Sequence, residues 1–254
     1  MPPEATPRCL PMPVSLGPSM KPSKHETGCA RDLRSFGRRH GRALSARQAS
    51  LWRDLLPQLA LTGNAADLAR PHGLFAATVR EVWLDIGFGG GEHLLWQAEQ
   101  HPDAGIVGCE PFQDGVVKVL AALSARPAGN IRLHAEDARS LLRQLPAACI
   151  ARVFLLFPDP WPKRRHWKRR LVSEATLAQL ARVMQPGAEL RIATDSAPYA
   201  EWILLAVRRQ GSFRWTAQAA SDWRQRGSDW PQTRYEAKAL RAGRRCSYFR
   251  FQRA

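Results

Sequence analysis

The sequence feature that most constrains the fold is an alternation of short apolar runs with longer helical stretches, which begins at residue 81. This alternation is typical of successive βαβ units, whose parallel strands form a sheet covered by helices. Gly187, which follows Pro186, predicts a turn from helix to strand. We therefore expect one α/β domain with strands at residues 82–86, 106–109, 131–134, 153–157, 190–193, 213–216 and 248–251, and with helices at residues 92–100, 113–124, 139–145, 172–184 and 197–210.

The charge of the chain constrains its partners. Its 254 residues contain 38 Lys and Arg against 22 Asp and Glu, which gives a net charge of +16 at pH 7. A hydrophobic fraction of 44% and a charged fraction of 24% are typical of a globular protein, and they exclude the disordered, collagen-like and membrane classes. The positive surplus favours a polyanionic partner, with nucleic acid ahead of anionic lipid.

Targeting and metal signals are weak in this sequence. No apolar run approaches the roughly 18 residues of a membrane span, and prolines interrupt residues 9–20, where a secretory signal would need a continuous apolar core. The five cysteines are scattered and form no CxxC pair, and the seven histidines have no ligand spacing. We expect a cytoplasmic protein with reduced thiols, no membrane partner, no metal, and a monomeric or homodimeric state.

The N-terminal third differs from the rest of the chain. Residues 1–32 are rich in proline, serine and glycine and predict a disordered tail. Residues 33–80 begin with a basic stretch and continue with the helical apolar spacing of Leu51, Trp52, Leu55 and Leu59, so they predict a basic helical extension. We expect this extension to belong to a single domain over residues 33–254.

The first predicted strand runs into a glycine-rich turn, WLDIGFGGGE at residues 83–92, that opens a helix. Glycines such as Gly87 and Gly89 let a cofactor approach the backbone, although a tight strand-to-helix turn alone also uses glycine. A dinucleotide-binding fingerprint would have a third glycine where this chain has Glu92, whose negative charge at a helix start opposes a pyrophosphate. The turn therefore favours a cofactor without phosphates, of which S-adenosylmethionine is the common one.

Three acidic residues follow or end successive predicted strands, namely Asp85, Glu110 and Asp137. Ligands of open α/β sheets bind outside the carboxyl ends of the strands. We expect Asp85 to accept hydrogen bonds from a methionine ammonium group, Glu110 from ribose hydroxyls, and Asp137 to lie near the adenine edge. Each acid taken alone is also typical of a helix cap or a solvated surface group.

The fourth predicted strand ends in a proline-rich turn that leads into a dense run of cations, FPDPWPKRRHWKRR at residues 157–170. Such a run is often only a solvated face. Here Pro158, Pro160 and Pro162 stiffen the backbone before it, which favours a cationic arm held beside the cofactor edge of the sheet. Trp161 and Trp167 either stack on exposed bases or fill core space.

These segments resemble the bacterial tRNA (guanine-N7)-methyltransferases. The resemblance covers about residues 33–254 and is carried by DIGFGGGE (85–92), GCE (108–110), EDA (136–138), FPDPWPKRRH (157–166), TD (194–195), PYAE (198–201) and TRYE (233–236). It implies a class I methyltransferase fold, which is Rossmann-like with a mostly parallel seven-stranded sheet flanked by helices. It also implies S-adenosylmethionine as methyl donor and the guanine at position 46 of the tRNA variable loop as substrate.

The resemblance also implies roles for individual residues. Asp159 matches the catalytic position, and the cofactor positions match Asp85, Gly87, Gly89, Glu110, Asp137 and Asp159. The substrate positions match Lys163, Arg165, His166, Trp167, Lys168, Arg169, Arg170, Asp195, Thr233, Arg234, Tyr235 and Glu236. The chain departs from the family pattern at Asp85, where glutamate is usual, and at Pro111, where a β-branched residue is usual, and residues 1–32 have no counterpart.

The chemistry of guanine leads to two hypotheses about carboxylates. N7 carries a lone pair and needs no general base, so positioning dominates, and a carboxylate near the ring stabilises the positive charge that methyl transfer brings to it. We assign that role to Asp159. The N1–H and N2–H donors of guanine suit carboxylate acceptors, for which Asp195 and Glu236 are the candidates, although Glu236 also fits a surface salt bridge.

Two other classes of protein remain as alternatives. An NAD-type oxidoreductase would use a similar glycine turn, but Glu92 argues against it. A non-catalytic RNA-binding protein would explain the charge of +16, but it would not need the glycine turn or the acids at the strand ends.

Overall fold

A computed structural model describes residue 37, residues 39–61 and residues 69–254. The predicted disordered tail at residues 1–32 lies outside the described residues, as does part of the predicted helical extension. Within the described part of that extension, helix runs over residues 46–59, and a 3-10 turn follows at Pro71–Leu74. Ser45 begins the helix because its side chain accepts a hydrogen bond from the backbone N–H of Gln48.

A seven-stranded sheet forms the centre of the domain, in the strand order β3-β2-β1-β4-β5-β7-β6. The strands β1 to β5 pair in parallel, and β7 pairs antiparallel with both β5 and β6. All seven predicted strands are confirmed, with bounds Glu81–Ile86 (β1), Ala104–Cys109 (β2), Ile131–His134 (β3), Ile150–Leu156 (β4), Met184–Thr194 (β5), Phe213–Trp215 (β6) and Ser247–Arg253 (β7).

Helices follow most of the strands. In chain order they are Ala46–Ser50 (α1), Leu56–Leu59 (α2), Glu92–Gln100 (α3), Gln113–Ala125 (α4), Ala138–Gln144 (α5), Glu174–Val183 (α6), Ala197–Gln210 (α7), Ser221–Arg224 (α8) and Arg234–Arg241 (α9). A π-helical segment, Leu51–Leu55, joins α1 to α2, and Arg164–Arg169 is a 3-10 helix. In the described part of the chain, no helix has the length and apolar character needed to cross a bilayer.

The core lies on both faces of the sheet. Along β1, Val82, Leu84 and Ile86 pack into one apolar cluster, and Trp83 packs into the other. Alternate side chains of a strand point to opposite faces, so a strand covered on both sides is apolar at nearly every position. This is why the apolar runs, rather than an alternating pattern, marked the strands in the sequence.

Two local predictions differ from the structure. Gly187 lies inside β5, in the left-handed conformation with φ of 79°, where the β4–β5 register shifts between Ile150 and Arg152. Helix α9 had no predicted counterpart because it is short and largely polar. Its start carried a signal nonetheless, since Thr233 accepts a hydrogen bond from the backbone N–H of Glu236, three residues later.

Candidate active site

A cleft of about 400 Å³ opens at the carboxyl ends of the neighbouring strands β3, β2, β1 and β4. The order of the strands reverses between β1 and β4, and such a switch point is where open α/β sheets bind ligands. Residues from the four strand ends and from more distant segments line the cleft, including Gly37, Ile86, Gly87, Gly89, Cys109, Glu110, Asp137, Phe157, Asp159, Trp161, Arg169 and Tyr235.

The glycine-rich turn forms the floor of the cleft, beneath helix α9. Gly89 has φ of 58°, a left-handed conformation that side chains rarely adopt. A Cβ atom on Gly89 would lie 2.8 Å from the ring of Tyr235, so the position is also crowded. Tyr235 itself is 46% exposed, which leaves its ring at the mouth of the cleft.

Glu110 joins the glycine-rich turn to the loop after β2. Its Oε2 accepts a hydrogen bond of 2.8 Å from the backbone N–H of Gly89, and its Oε1 accepts one of 2.9 Å from the N–H of Phe112. Burial raises the pKa of Glu110, and these two backbone donors oppose the rise. The predicted cofactor residue Glu110 thus lies in the cleft and also holds its two loops together.

Asp137 begins helix α5 and lines the cleft. Its carboxylate accepts from the backbone N–H of Arg139 at 3.0 Å and from the Arg139 Nε and Nη2 atoms at 2.9 and 2.8 Å. Burial alone would raise the pKa of Asp137, but the hydrogen bonds from Arg139 hold it below its usual value. Asp137 is therefore a helix cap as well as a cleft residue.

The structure does not bring Asp85 into the lining of the cleft, contrary to the expectation that it meets a cofactor. Asp85 is buried, and its Oδ2 lies 2.9 Å from Nδ1 of His93, which is buried as well. The cause is strand alternation, because Asp85 faces the same side of the sheet as Trp83, where helix α3 packs. The sequence analysis did not single out His93. The available signal was an acid near the end of a predicted strand and a histidine at the start of the helix that follows it.

The segment after β4 is strained. Phe157 and Trp161 are both left-handed, with φ of 54° and 43°, and they bracket the sequence Pro158-Asp159-Pro160. A bulky residue in this conformation costs about 1–3 kcal/mol, and such strain concentrates at functional sites. Loss of hydration in the cleft raises the pKa of Asp159, although the residue remains accessible to solvent.

The cationic run continues from this segment as the 3-10 helix Arg164–Arg169. Its exposed residues include Lys163, Arg165, Trp167 and Lys168. His166 packs edge-on against Trp161 at a centroid distance of 5.7 Å, and the Arg169 guanidinium lies 4.9 Å from the Trp161 ring centroid. The first part of the run is therefore presented to solvent beside the cleft.

Arg170 differs from the prediction that it contacts RNA. It is only 4% exposed, and its Nε donates a 2.9 Å hydrogen bond to the carbonyl oxygen of Pro160. Three aromatic rings surround its guanidinium, those of Trp167, Tyr199 and Trp202. A buried side chain with these contacts is not available to a phosphate.

The TRYE segment forms the start of α9 and covers the glycine-rich turn. Thr233 caps the helix, and the Arg234 guanidinium lies 3.5 Å from the carboxylate of Glu92. Glu236 is buried, and its Oε1 accepts from Arg226 Nε at 3.0 Å and from the Tyr248 hydroxyl at 2.7 Å. Burial and the Glu236 carboxylate raise the pKa of Tyr248.

A narrow gap between side chains, with no room for a water molecule, adjoins the cleft. Leu156 and Phe157 line both of them, and Thr233, Glu236 and Tyr248 line the gap. The structure thus brings Glu236 beside the cleft wall. Asp195 follows β5 but does not line the cleft, and its carboxylate pairs with Arg244 at 2.7 Å.

Two features near the cleft were not predicted. The backbone carbonyl of Arg39 accepts a hydrogen bond of 2.9 Å from the N–H of Gln113, which brings the basic N-terminal stretch to the start of α4. Lys238 and Arg241 are exposed three residues apart on α9, so they share one helical face. Within the described ranges, no group of three or more His, Cys, Asp or Glu side chains is suited to hold a metal ion.

Comparisons with known proteins agree with this architecture. A family model described as "Putative methyltransferase" matches residues 79–248. A tRNA (guanine-N(7)-)-methyltransferase from Rhodospirillum rubrum is 48% identical over 228 residues, which cover 87% of this chain and 88% of the relative. A protein of the same name from Brucella melitensis is 49% identical over 223 residues, which cover 86% of this chain and 94% of the relative.

A solved structure described as "Structure of an Antibiotic Related Methyltransferase" superimposes with a TM-score of 0.51 at 17% identity, covering 78% of this chain and 97% of that chain. At this identity the likeness concerns the fold alone. Together with the strand order, it identifies the class I S-adenosylmethionine-dependent methyltransferase fold that the sequence predicted.

The contact between α4 and the glycine-rich turn can be tested at Gly115. A Cβ atom there would lie 2.3 Å from the carbonyl oxygen of Gly89 and 3.1 Å from Cγ of Glu110. We expect Gly115→Ala to lower the free energy of unfolding by about 1–3 kcal/mol, as overpacking does. Urea denaturation measures this loss. Gly73→Ala is the control, because a Cβ at exposed Gly73 meets no atom within 4 Å, and equal stability of the two variants would contradict the prediction.

Proposed function

The chain belongs to the tRNA (guanine-N(7)-)-methyltransferase family, and we propose that it transfers a methyl group from S-adenosylmethionine to N7 of guanine at position 46 of the tRNA variable loop. The observation that carries the proposal is similarity along most of the chain, with 48% identity over 87% of its length, to a relative of that name. The family membership removes the reason for the two alternatives, an NAD-type oxidoreductase and a non-catalytic RNA-binding protein. The same proposal includes a cytoplasmic location and a monomeric or homodimeric state.

The charge of the cleft supports a cationic methyl donor. Glu110 and Asp159 both line it, and among the described residues neither carboxylate has an ion pair with a cation. By contrast, Asp137 pairs with Arg139 and Glu236 pairs with Arg226. S-adenosylmethionine supplies an electrophilic methyl group on a positively charged sulfur, and two unpaired carboxylates in a partly desolvated cleft suit a ligand of that charge.

We assign the cofactor contacts to the residues that line the cleft. Gly87 and Gly89 provide a surface without side chains, Glu110 offers its remaining lone pairs to ribose hydroxyls, and Asp137 lies at the next strand end for the adenine. Asp85 acts indirectly in this proposal, because its contact with His93 fixes helix α3 against the strand that carries the glycine-rich turn.

Positioning and charge account for the chemistry. Guanine N7 attacks with its own lone pair, so no residue has to remove a proton before methyl transfer. The proposed role of Asp159 is to stabilise the positive charge that develops on the purine ring. Two residues in left-handed conformations, Phe157 and Trp161, bracket Asp159 and set the place where its side chain leaves the backbone.

The tRNA meets cations on two sides of the cleft in this proposal. Lys163, Arg165 and Lys168 extend from one side, with Trp167 exposed among them. On the other side the cation is Arg234, which lies over the glycine-rich turn beside the ring of Tyr235, at the start of α9. Contacts between these cations and phosphates supply affinity that falls as the salt concentration rises.

Incubation of the protein with labelled S-adenosylmethionine and an unmodified tRNA transcript tests the function. Nucleoside analysis is expected to find N7-methylguanosine, and mapping of the modified base is expected to place it at position 46. A transcript with adenine at position 46 is the control and should accept little label. Folded protein that leaves every guanine unmethylated would refute the activity, and methylation at another guanine would refute only the position.

Asp159→Asn tests the proposed charge stabilisation, because it keeps the shape of the side chain and removes its charge. We expect the single-turnover rate to fall about 100-fold. Partial loss of hydration in the cleft raises the pKa of Asp159, and only the ionised form stabilises the ring, so wild-type activity should fall as pH drops through that pKa. The variant should lose this part of the acidic limb. A single-turnover rate within twofold of wild type would contradict the role.

Recognition of guanine by Glu236 is tested with Glu236→Gln. Arg226 and Tyr248 already donate to its Oε1, so paired acceptance of N1–H and N2–H requires one of these contacts to be exchanged. We expect the preference for guanine over adenine at the target position to fall at least tenfold, as measured by competition between the two tRNAs. Tyr248→Phe is the control, because it removes a contact to Glu236 but keeps the carboxylate, and it should preserve the preference.

Asp195→Ala provides the second arm of the same test. Asp195 pairs with Arg244 and does not line the cleft, so a loss of guanine preference in this variant requires tRNA to draw it inward. If Glu236→Gln and Asp195→Ala both keep the affinity for tRNA and the preference for guanine, neither residue reads the base.

A further inference from the structure

Arg170 occupies an aromatic cage, which separates it from the other cations of the 163–170 run. Its guanidinium carbon lies 4.9 Å from the ring centroid of Trp167, 5.0 Å from that of Tyr199 and 4.7 Å from that of Trp202. A cation over several rings is attracted to each of them, most strongly when water is excluded. Tyr199 has no exposed surface and Arg170 is 4% exposed, so the guanidinium is largely shielded from water, while the outer ring of the cage, Trp167, is 36% exposed.

Helix α7 carries two of the three cage rings, Tyr199 and Trp202. The same two side chains form hydrogen bonds to the backbone just after Arg170. The Tyr199 hydroxyl accepts from the backbone N–H of Val172 at 3.3 Å, and the Trp202 indole N–H donates to the Val172 carbonyl at 2.7 Å. Both bonds are made to the backbone of one residue, Val172, which lies two positions after Arg170. The chain that leaves the cationic run is therefore fixed to α7 at Val172, and Arg170 lies in a defined place.

From this place Arg170 reaches back across ten residues. Its Nε donates a 2.9 Å hydrogen bond to the carbonyl oxygen of Pro160, the residue that follows Asp159. Pro160 also precedes Trp161, which has the strained φ of 43°. The Phe157 end of the turn is held by its N–H, which donates to the Ala193 carbonyl at 2.8 Å. Pro160 has no N–H, so at the other end the carbonyl is the group of this residue that can be tied.

We infer that Arg170 is a positioning residue for Asp159: it ties the strained turn at Pro160 to helix α7, and it does not bind tRNA. This inference rests on the proposed role of Asp159 in methyl transfer. The tie offsets part of the backbone strain at Trp161 and keeps the Asp159 carboxylate in the cleft. The guanidinium is suited to this task because its planar group stacks on rings and donates in the plane at the same time, which an ammonium does not do.

The test compares Arg170→Lys with two matched variants. Arg170→Lys keeps the positive charge but loses the planar stacking group, and we expect its single-turnover rate at saturating tRNA to fall at least tenfold. Its affinity for tRNA, and the slope of that affinity against salt concentration, should equal those of wild type. Arg208→Lys makes the same change at an exposed arginine of α7 and should alter neither quantity.

Arg165→Ala gives the contrasting behaviour of a cation that touches phosphate. Arg165 is exposed, and its loss should weaken tRNA binding and reduce the salt slope by about 1. If Arg170→Lys keeps the wild-type rate, or behaves like Arg165→Ala in the binding measurement, the positioning role is wrong.

Hydrogen exchange supplies a readout that does not depend on methylation. Loss of the tie should speed exchange of the Phe157 amide, which donates to the Ala193 carbonyl at 2.8 Å just before the turn, in Arg170→Lys and leave α6 unchanged. If wild type methylates no guanine, the proposed function fails while this measurement still decides whether the tie exists. If Arg170→Lys does not fold, Trp202→Phe weakens the cage with Arg170 in place, and both the slower methyl transfer and the faster exchange are expected there.

Discussion

The carboxylate of Glu110 is the contact on which the cleft depends. It accepts backbone N–H groups from Gly89 and Phe112, so one side chain sets the distance between the loops after β1 and β2. This arrangement also requires a glycine at position 115, because any side chain there would collide with the carbonyl of Gly89. A hydrogen bond to a charged acceptor contributes more than one between neutral groups, and two of them balance part of the cost of burying Glu110. The cleft is thus shaped before any ligand arrives.

The opposite wall of the cleft is built on strain. Phe157 and Trp161 hold left-handed backbone conformations that cost free energy, and the contacts around them must supply it. The Arg170 cage does so through the carbonyl of Pro160. One wall is therefore rigid because a buried carboxylate joins two loops, and the other because a buried guanidinium ties a strained turn to a helix.

The sequence predicted the features that depend on local pattern and missed those that depend on direction. Apolar runs located all seven strands, and glycines located the turn after β1, because burial on both faces and left-handed backbone leave marks in the sequence. The inward direction of Asp85 was missed, since it follows from the packing of α3 and His93 against that face. Arg170 looked like its basic neighbours because a run of cations does not reveal that aromatic residues 29 and 32 positions later will surround one of them. Helix α9 was missed because it is only eight residues long and its two faces differ through charged residues rather than through an apolar stripe.

The distribution of charge joins the two halves of the proposed function. The chain carries a net charge of +16, yet the cleft contains Glu110 and Asp159. Loss of hydration raises the pKa of both carboxyl groups, and the described residues supply no ion pair for either. The positive potential of the exposed cations and the negative potential of the two unpaired carboxylates therefore lie a short distance apart. The exposed cations attract a polyanion to the rim, and the acids favour a cation within. Methyl transfer from a sulfonium to RNA uses both kinds of charge. The cations at the rim attract the RNA phosphates, and the carboxylates inside the cleft favour the positively charged methyl donor.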